Sequence, residues 1–270
     1  MEIKDLSGLG SYAPIIHELY KDMAQPAARN VGLALGAITS VGLFLHLLTS
    51  WGTDRLNICL KNNLEQYADR MKDVALEDVI VAPPEIAVPI IEKLSYVTNE
   101  DLRSLYIELL AKASIKEEND KAHPNFINII NSLSPDEASL LKYFKENPNI
   151  VPRYLFRRGI RKSDAFEGYL RYEYGNFIKL QFPENLSGYL ENFEGLGIIY
   201  MTESNTAILE TFQELERSLN YQFRMSNLNF NQLSLISQLG NVQKQSLYVT
   251  NYGKLFLDAV IGDDSIQSEK

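Results

Sequence analysis

Apolar residues recur with helical spacing along most of the first half of this chain. Between Asp54 and Ala75, the residues Leu56, Leu60 and Leu64 begin a series at spacings of three and four, with charged residues between them. This pattern predicts an amphipathic helix. The same spacing predicts further helices over 85–96, 102–115, 123–133 and 134–146.

Capping residues mark where several of these helices begin. Pro84 is predicted to open the helix over 85–96, because proline fits the first helical position. Thr98 or Asn99 is expected to cap the next helix. Ser134 and Glu137 have the spacing of a capping box, in which each side chain bonds to the other residue's backbone N–H.

The pattern changes after residue 150. Residues 151–161 fit either a strand or the start of a helix, and 206–223 fit either a helix or a long insertion. Helices are predicted over 186–193, 227–240 and 251–261, and strands near 198–201 and over 245–250. The order resembles a winged-helix arrangement, in which the strands form the wing.

These elements predict a mainly α fold in which a helical N-terminal half precedes a C-terminal winged-helix-like α+β domain. The predicted divisions are an N-terminal segment with one apolar helix, a helical domain, the winged-helix-like domain and a polar tail. Their bounds are 1–53, 54–133, 134–262 and 263–270.

The segment 31–51 contains no Asp, Glu, Lys or Arg. It has the length of a membrane-crossing helix, which needs about 20 predominantly apolar residues. Small residues four apart would lie on one helical face and would let two helices approach closely in lipid. The segment is either membrane-inserting or the buried central helix of a soluble bundle. The residues assigned to membrane contact or self-association are Gly32, Gly36, Ser40, Phe44, Leu48 and Trp51.

Composition narrows the function further. The formal net charge of −9 argues against general nucleic-acid binding, which requires clustered Lys and Arg. Residues 1–24 lack the pattern of a secretory signal, and the single cysteine, Cys59, fits a reducing compartment as a small core residue. We therefore expect a cytoplasmic or inner-membrane-associated protein that is not secreted.

Motifs for catalysis, metal binding or nucleotide binding are missing from the sequence. The three histidines, His17, His46 and His123, are widely separated, and no paired cysteines or glycine-rich phosphate loop occurs. We expect no catalytic residue, no metal site and no cofactor. One basic cluster, interleaved with aromatic residues, could bind an anion or an acidic partner surface, or form internal ion pairs. Its members are Arg153, Arg157, Arg158, Arg161 and Lys162.

Several segments resemble the abortive infection alpha family of bacterial phage-defence proteins. The resemblance covers most of the chain and is most specific in residues 20–28 and 123–138. It is carried by 20–28, 81–84, 102–111, 123–126, 133–138 and 249–256. The resemblance implies a role in abortive infection, where an infected cell stops growing or dies before phage matures, and it implies no catalytic residues.

Two hypotheses for the function follow. The first is a non-enzymatic toxin effector that acts on inner-membrane lipid through residues 31–51, with self-association into a homo-oligomer. The alternative is a soluble interaction or sensor module that binds a partner protein of a defence system, or nucleic acid, through the winged-helix-like domain.

Overall fold

The protein is mainly helical. The computed structural model describes residues 25–36, 54–146, 151–156, 180–203 and 242–262, and these contain eight α-helices and one three-stranded sheet. In chain order the elements are α1 Gln25–Ala34, α2 Asp54–Met71, α3 Pro84–Leu94, α4 Glu100–Ala113, α5 Asn125–Asn131, α6 Pro135–Glu146, β1 Val151–Phe156, α7 Leu186–Gly195, β2 Ile199–Glu203, β3 Val242–Val249 and α8 Asn251–Val260.

The described residues form two compact units. The first contains residues up to Ala138 together with the end of the chain from Asp258, and the second contains Ser139–Leu257. In the first unit, α4 packs against α2, α3 and α5, and α1 packs against α2. Because α4 is covered on several sides, all nine of its residues from Leu105 to Ala113 are buried.

The capping predictions are confirmed. The side chain of Asn99 accepts a hydrogen bond of 3.0 Å from the backbone N–H of Leu102, and α4 begins directly after Asn99. Ser134 N donates to Glu137 Oε2 at 2.6 Å, and Glu137 N donates to Ser134 Oγ at 3.3 Å. This reciprocal pair satisfies two N–H groups that the first turn of α6 would otherwise leave without partners.

Helix α1 begins earlier than the helix predicted over 31–51. It starts at Gln25, and Val31, Ala34 and Leu35 are buried. The carbonyl of Ala34 accepts a hydrogen bond of 3.0 Å from Ala82 N. The first residues of the apolar segment are therefore packed within the first unit, and residues 37–51 lie outside the described residues.

No helix in the described parts of the chain combines the length and apolarity needed to cross a bilayer. The segment 206–223, for which the sequence fits either a helix or a long insertion, and the helix predicted over 227–240 also lie outside the described residues.

The second unit contains an antiparallel sheet with strand order β1–β3–β2. Residues 151–156 form a strand, which answers the question that the sequence left open. Pro152 lies on β1, an edge strand, where proline costs no ladder hydrogen bond on its outer side. The hydrophobic interior of this unit includes an edge-to-face contact between Phe144 and Phe193, whose ring centroids are 5.7 Å apart.

A close backbone contact connects the start of α8 to the turn before β2. Thr250 N donates to Ile198 O at 2.9 Å, and Thr250 Oγ1 donates to Gly197 O at 2.6 Å. Gly197 has a φ of 75°, a conformation that glycine adopts without steric cost. A Cβ added to Gly253 would lie 2.0 Å from Ile198 O, so only glycine fits at this position.

Candidate functional sites

A network of buried charges joins α2, α4 and the turn after α4 in the first unit. Arg70 donates two hydrogen bonds to the carboxylate of Glu108, at 2.7 and 3.0 Å. Lys112 Nζ lies 3.5 Å from Glu108 Oε1 and 2.6 Å from Glu118 Oε2. The side chains of Glu108 and Lys112 are each only 8% exposed. Lys121 Nζ lies farther away, 3.8 Å from Glu118 Oε2.

Opposite charges decide the protonation of this network. Burial by itself lowers the pKa of Lys112, but the hydrogen bond to Glu118 and the charges of Glu108 and Glu118 outweigh burial and raise it. Burial by itself raises the pKa of Glu118, but the hydrogen bond to Lys112 and the nearby positive charges lower it. Both groups are therefore ionised at neutral pH.

A buried hydroxyl pair joins α2 to the C-terminal end of α4, where Ser114 follows the last helical residue. Tyr67 Oη donates to Ser114 Oγ at 2.7 Å, and Ser114 Oγ donates to Leu110 O at 2.7 Å. Burial raises the pKa of Tyr67, so its hydroxyl stays protonated. Both residues are fully buried, and their polar atoms are satisfied by each other and by the backbone. This arrangement holds α2 against α4 and presents no nucleophile to a substrate.

An open groove of about 460 Å³ lies beside His123 in the first unit. Asn125 N donates a hydrogen bond of 3.1 Å to His123 Nδ1. Tyr106 Oη donates to Asn131 Oδ1 at 2.7 Å, and burial raises the pKa of Tyr106, which keeps it a donor. The polar residues that line the groove are Glu85, His123, Asn125, Asn128 and Asn131.

The sequence identified His123 only as a residue before a helix start. It did not identify the groove, because Glu85 comes from α3, about forty residues earlier in the chain. The one available signal was the spacing of Asn125, Asn128 and Asn131, which places three amides along one side of a short helix.

The residues predicted for membrane contact are only partly described. Gly32 and Gly36 lie in and just after α1, and a Cβ on Gly36 would meet Val81 Cγ2 of the same chain at 3.9 Å. The remaining members lie outside the described residues, namely Ser40, Phe44, Leu48 and Trp51.

The basic cluster is also only partly described. Arg153 lies on β1, where its backbone is paired with Gln245 of β3. The other four residues lie outside the described part of the chain, namely Arg157, Arg158, Arg161 and Lys162.

Two tyrosines are stacked on the sheet of the second unit. Tyr200 of β2 and Tyr248 of β3 are direct cross-strand partners. Their ring centroids are 4.9 Å apart with an interplanar angle of 12°, and Tyr200 is 48% exposed. Their neighbours Ile199 and Val249 are buried. Since successive side chains of a strand point to opposite faces, the tyrosine pair lies on the face opposite these buried residues.

Metal ligands do not cluster in the described residues, where no group of three or more His, Cys, Asp or Glu side chains could hold an ion. Cys59 is half-buried, and its Sγ lies 3.4 Å from Val97 O, the carbonyl to which Asn63 Nδ2 also donates at 3.1 Å. These contacts fit a structural position between α2 and the end of α3.

The fold is that of a mainly helical protein with a small antiparallel sheet. The family model for abortive infection alpha matches residues 59–260, which is most of the chain. The chain therefore belongs to the abortive infection alpha family. Comparisons with curated proteins and with solved structures give no match.

Proposed function

We propose that this protein acts in abortive infection as a non-enzymatic interaction module whose second unit binds a partner protein. Family membership supports the role in abortive infection. The order α6–β1–α7–β2–β3 and the strand order β1–β3–β2 fit a winged-helix-like domain, whose β2 and β3 would form the wing. Winged-helix domains commonly serve as interaction modules. In this chain, α6 begins at Pro135, directly after the start of the predicted winged-helix-like domain at residue 134.

The observation that carries the proposal is the stack of Tyr200 on Tyr248, in which Tyr200 is exposed and Tyr248 is half-buried. Tyrosine is enriched at protein interfaces and among the residues that dominate binding energy, because a large rigid ring is buried at low entropic cost. Here the ring of Tyr200 is already held in place by Tyr248, at a centroid distance of 4.9 Å. This pre-organisation lowers the cost of ordering the contact surface on binding.

A protein partner fits the charge better than nucleic acid does. Phosphate contacts depend on Lys and Arg, and the chain has a formal net charge of −9. The basic cluster, which contains Arg153 and Arg157, is better suited to an acidic protein surface. We propose that the partner belongs to the same defence system, and that the protein is cytoplasmic in its resting state.

The test is phage protection by cells that express the full-length protein. We expect the double variant Tyr200→Ser, Tyr248→Ser to abolish protection, measured as plaquing efficiency. The partner protein that co-purifies with the wild type from infected cells should no longer co-purify with this variant. Tyr96→Ser is the matched control, since Tyr96 is similarly exposed at 44% in the first unit. Full protection by the double variant, with its thermal melt unchanged, would refute the proposal.

A second candidate function is action at the membrane, which the uncharged segment 31–51 favours. Asn30 Nδ2 donates to Met71 O at 2.8 Å and to Val74 O at 3.0 Å, which fixes α1 against the end of α2. If α1 stays packed, fifteen residues of the segment remain, 37–51. As a helix they would extend about 22 Å, which is shorter than the ~30 Å hydrocarbon core. Insertion therefore requires α1 to leave the first unit in response to a trigger.

Fractionation with a carbonate wash tests this second function. Wild-type protein should be found in the soluble pool, and Asn30→Ala should shift a fraction to the washed membrane because it loosens α1. Gly36→Leu with Val41→Asp, added to Asn30→Ala, should reverse that shift by blocking helix contact and insertion. Equal membrane fractions for all three proteins would exclude triggered insertion.

A further inference from the structure

The groove beside His123 offers hydrogen-bond acceptors and one negative charge. Glu85 makes no ion pair with any described residue. An amide oxygen has two lone pairs, so Asn131 Oδ1 can accept a second hydrogen bond in addition to that from Tyr106. Of the described residues that line the groove, none is Lys or Arg.

We propose that this groove binds a basic side chain, an arginine or a lysine, of a partner protein. The Glu85 carboxylate would receive the charged end, since hydrogen bonds between ionised groups are roughly twice as strong as neutral ones. Pro89, Pro124 and Ile127 supply an apolar lining for the methylene groups of such a side chain. The groove volume of about 460 Å³ accommodates one extended side chain with room for water.

Charge complementarity selects this occupant over others. An anionic ligand would meet Glu85 with no compensating cation among the described lining residues. A metal ion needs several charged or imidazole ligands, and no such group of three occurs in the described chain. An extended basic side chain uses both the carboxylate and the apolar lining. The site lies in the first unit, so its failure would leave the proposal for Tyr200 and Tyr248 intact.

Nuclear magnetic resonance of the full-length protein tests the site directly. The probe is the peptide acetyl-Gly-Arg-Gly-amide, and the readout is the ring resonance of His123, assigned by its loss in His123→Gln. We expect saturable shifts with a dissociation constant of about 1–10 mM, as suits a single side chain. The same peptide with citrulline in place of arginine should cause no shift.

Matched variants separate a site from general attraction to an acidic protein. Glu85→Gln should weaken arginine-peptide binding about threefold to fivefold, because Glu85 is exposed and ion pairs between exposed groups are weak. Glu77→Gln removes the same charge from an exposed position away from the groove and should leave binding unchanged. Equal binding of the citrulline peptide, or an equal loss in Glu77→Gln, would overturn the proposal.

Competition with free cations tests whether the groove prefers a protein side chain. Spermidine or magnesium chloride should displace the arginine peptide only weakly, since neither presents a single cation on an extended stem as a side chain does. If either compound binds more tightly than the peptide, the groove takes a free cation and the assignment to a partner protein is wrong.

Discussion

Within each of the two units, a different kind of contact stabilises the fold. In the first unit, α4 is enclosed by other helices, and its buried charges Glu108 and Lys112 are balanced by neighbouring side chains. In the second unit, the backbone at Gly253 lies close against the backbone of Ile198. Removing the partner of a buried charge is strongly destabilising. At a close backbone contact, the destabilising change is instead the addition of a side-chain atom. The units should therefore be sensitive to opposite kinds of substitution.

The largest effect is expected from Gly253→Ala in the second unit. The added Cβ would lie 2.0 Å from Ile198 O, and because that atom belongs to the backbone, α8 must move away from the turn. We expect a loss of about 4 kcal/mol or more in the free energy of unfolding, measured by urea denaturation. Hydrogen exchange should show the loss mainly in β2 and β3.

Gly188→Ala is the matched control in the same unit. Gly188 is exposed in α7, and nothing lies within 4 Å of its added Cβ. Alanine should stabilise this helix by roughly 0.5–1 kcal/mol. If Gly253→Ala is no more destabilising than Gly188→Ala, the backbone contact does not hold the second unit together.

The next largest effect is expected from Lys112→Met in the first unit. Methionine keeps the shape of the side chain but leaves the buried carboxylate of Glu108 and the adjoining Glu118 without their shared cation. Removing one partner of an isolated buried ion pair costs about 3–5 kcal/mol, but Glu108 keeps its two hydrogen bonds from Arg70, so we expect a smaller loss of about 2–3 kcal/mol. Urea denaturation should show this loss, and hydrogen exchange should place it in α2 and α4.

Lys121→Met is the control for that prediction. Lys121 is 44% exposed and 3.8 Å from Glu118, so its removal should cost less than about 1 kcal/mol. Equal losses in the two variants would mean that the network owes its strength to total charge and not to burial.

The structural features that could be predicted from the sequence are those that depend on contacts between residues a few positions apart. The capping box of Ser134 and Glu137 and the cap at Asn99 are local, because each bond joins residues three apart. What it did not predict depends on distant contacts. The pair Glu108 and Lys112 has the spacing of an ordinary surface pair on a helix, and burial arises only because three other helices cover α4.

Dependence on distant contacts also explains why the sequence alone did not decide between a strand and a helix start for residues 151–161. Strand β1 pairs with β3, whose partner residues lie about ninety positions later in the chain. Pro152 argues against a strand when the neighbourhood alone is considered, and only the strand order shows that it lies at an edge. The groove beside His123 was missed because α3 supplies its carboxylate, Glu85.

A smaller effect is expected from Ser134→Ala, which tests a local contact in the first unit. The change removes the hydroxyl that accepts from Glu137 N and should lower stability by about 1 kcal/mol in urea denaturation. Ser104→Ala is the control, since Ser104 is exposed and its Oγ donates a hydrogen bond to Asp101 O within α4. A loss in Ser104→Ala as large as in Ser134→Ala would show that the capping box contributes nothing specific.

The smallest effect is expected from Glu118→Gln, and it concerns how the stability contribution of the charge network changes with pH. The folded-state pKa of Glu118 is lowered, so its contribution is fully present above the unfolded value of about 4.3 and is lost as pH falls through the folded value. At pH 7, Glu118→Gln should therefore be less stable than wild type by less than about 1 kcal/mol, since the carboxylate is partly exposed.

That difference should persist from pH 7 down to about pH 5 and shrink progressively below pH 4, as protonated Glu118 comes to resemble glutamine. Urea denaturation of both proteins at pH 7, 5, 4 and 3 measures it. The raised pKa of Lys112 keeps the partner cation charged throughout this range, so Glu118 alone changes charge within the pair. A difference that stays constant down to pH 3 would mean that Glu118 stabilises the turn by packing. The contrast between the units would then rest on Glu108 and Lys112 alone.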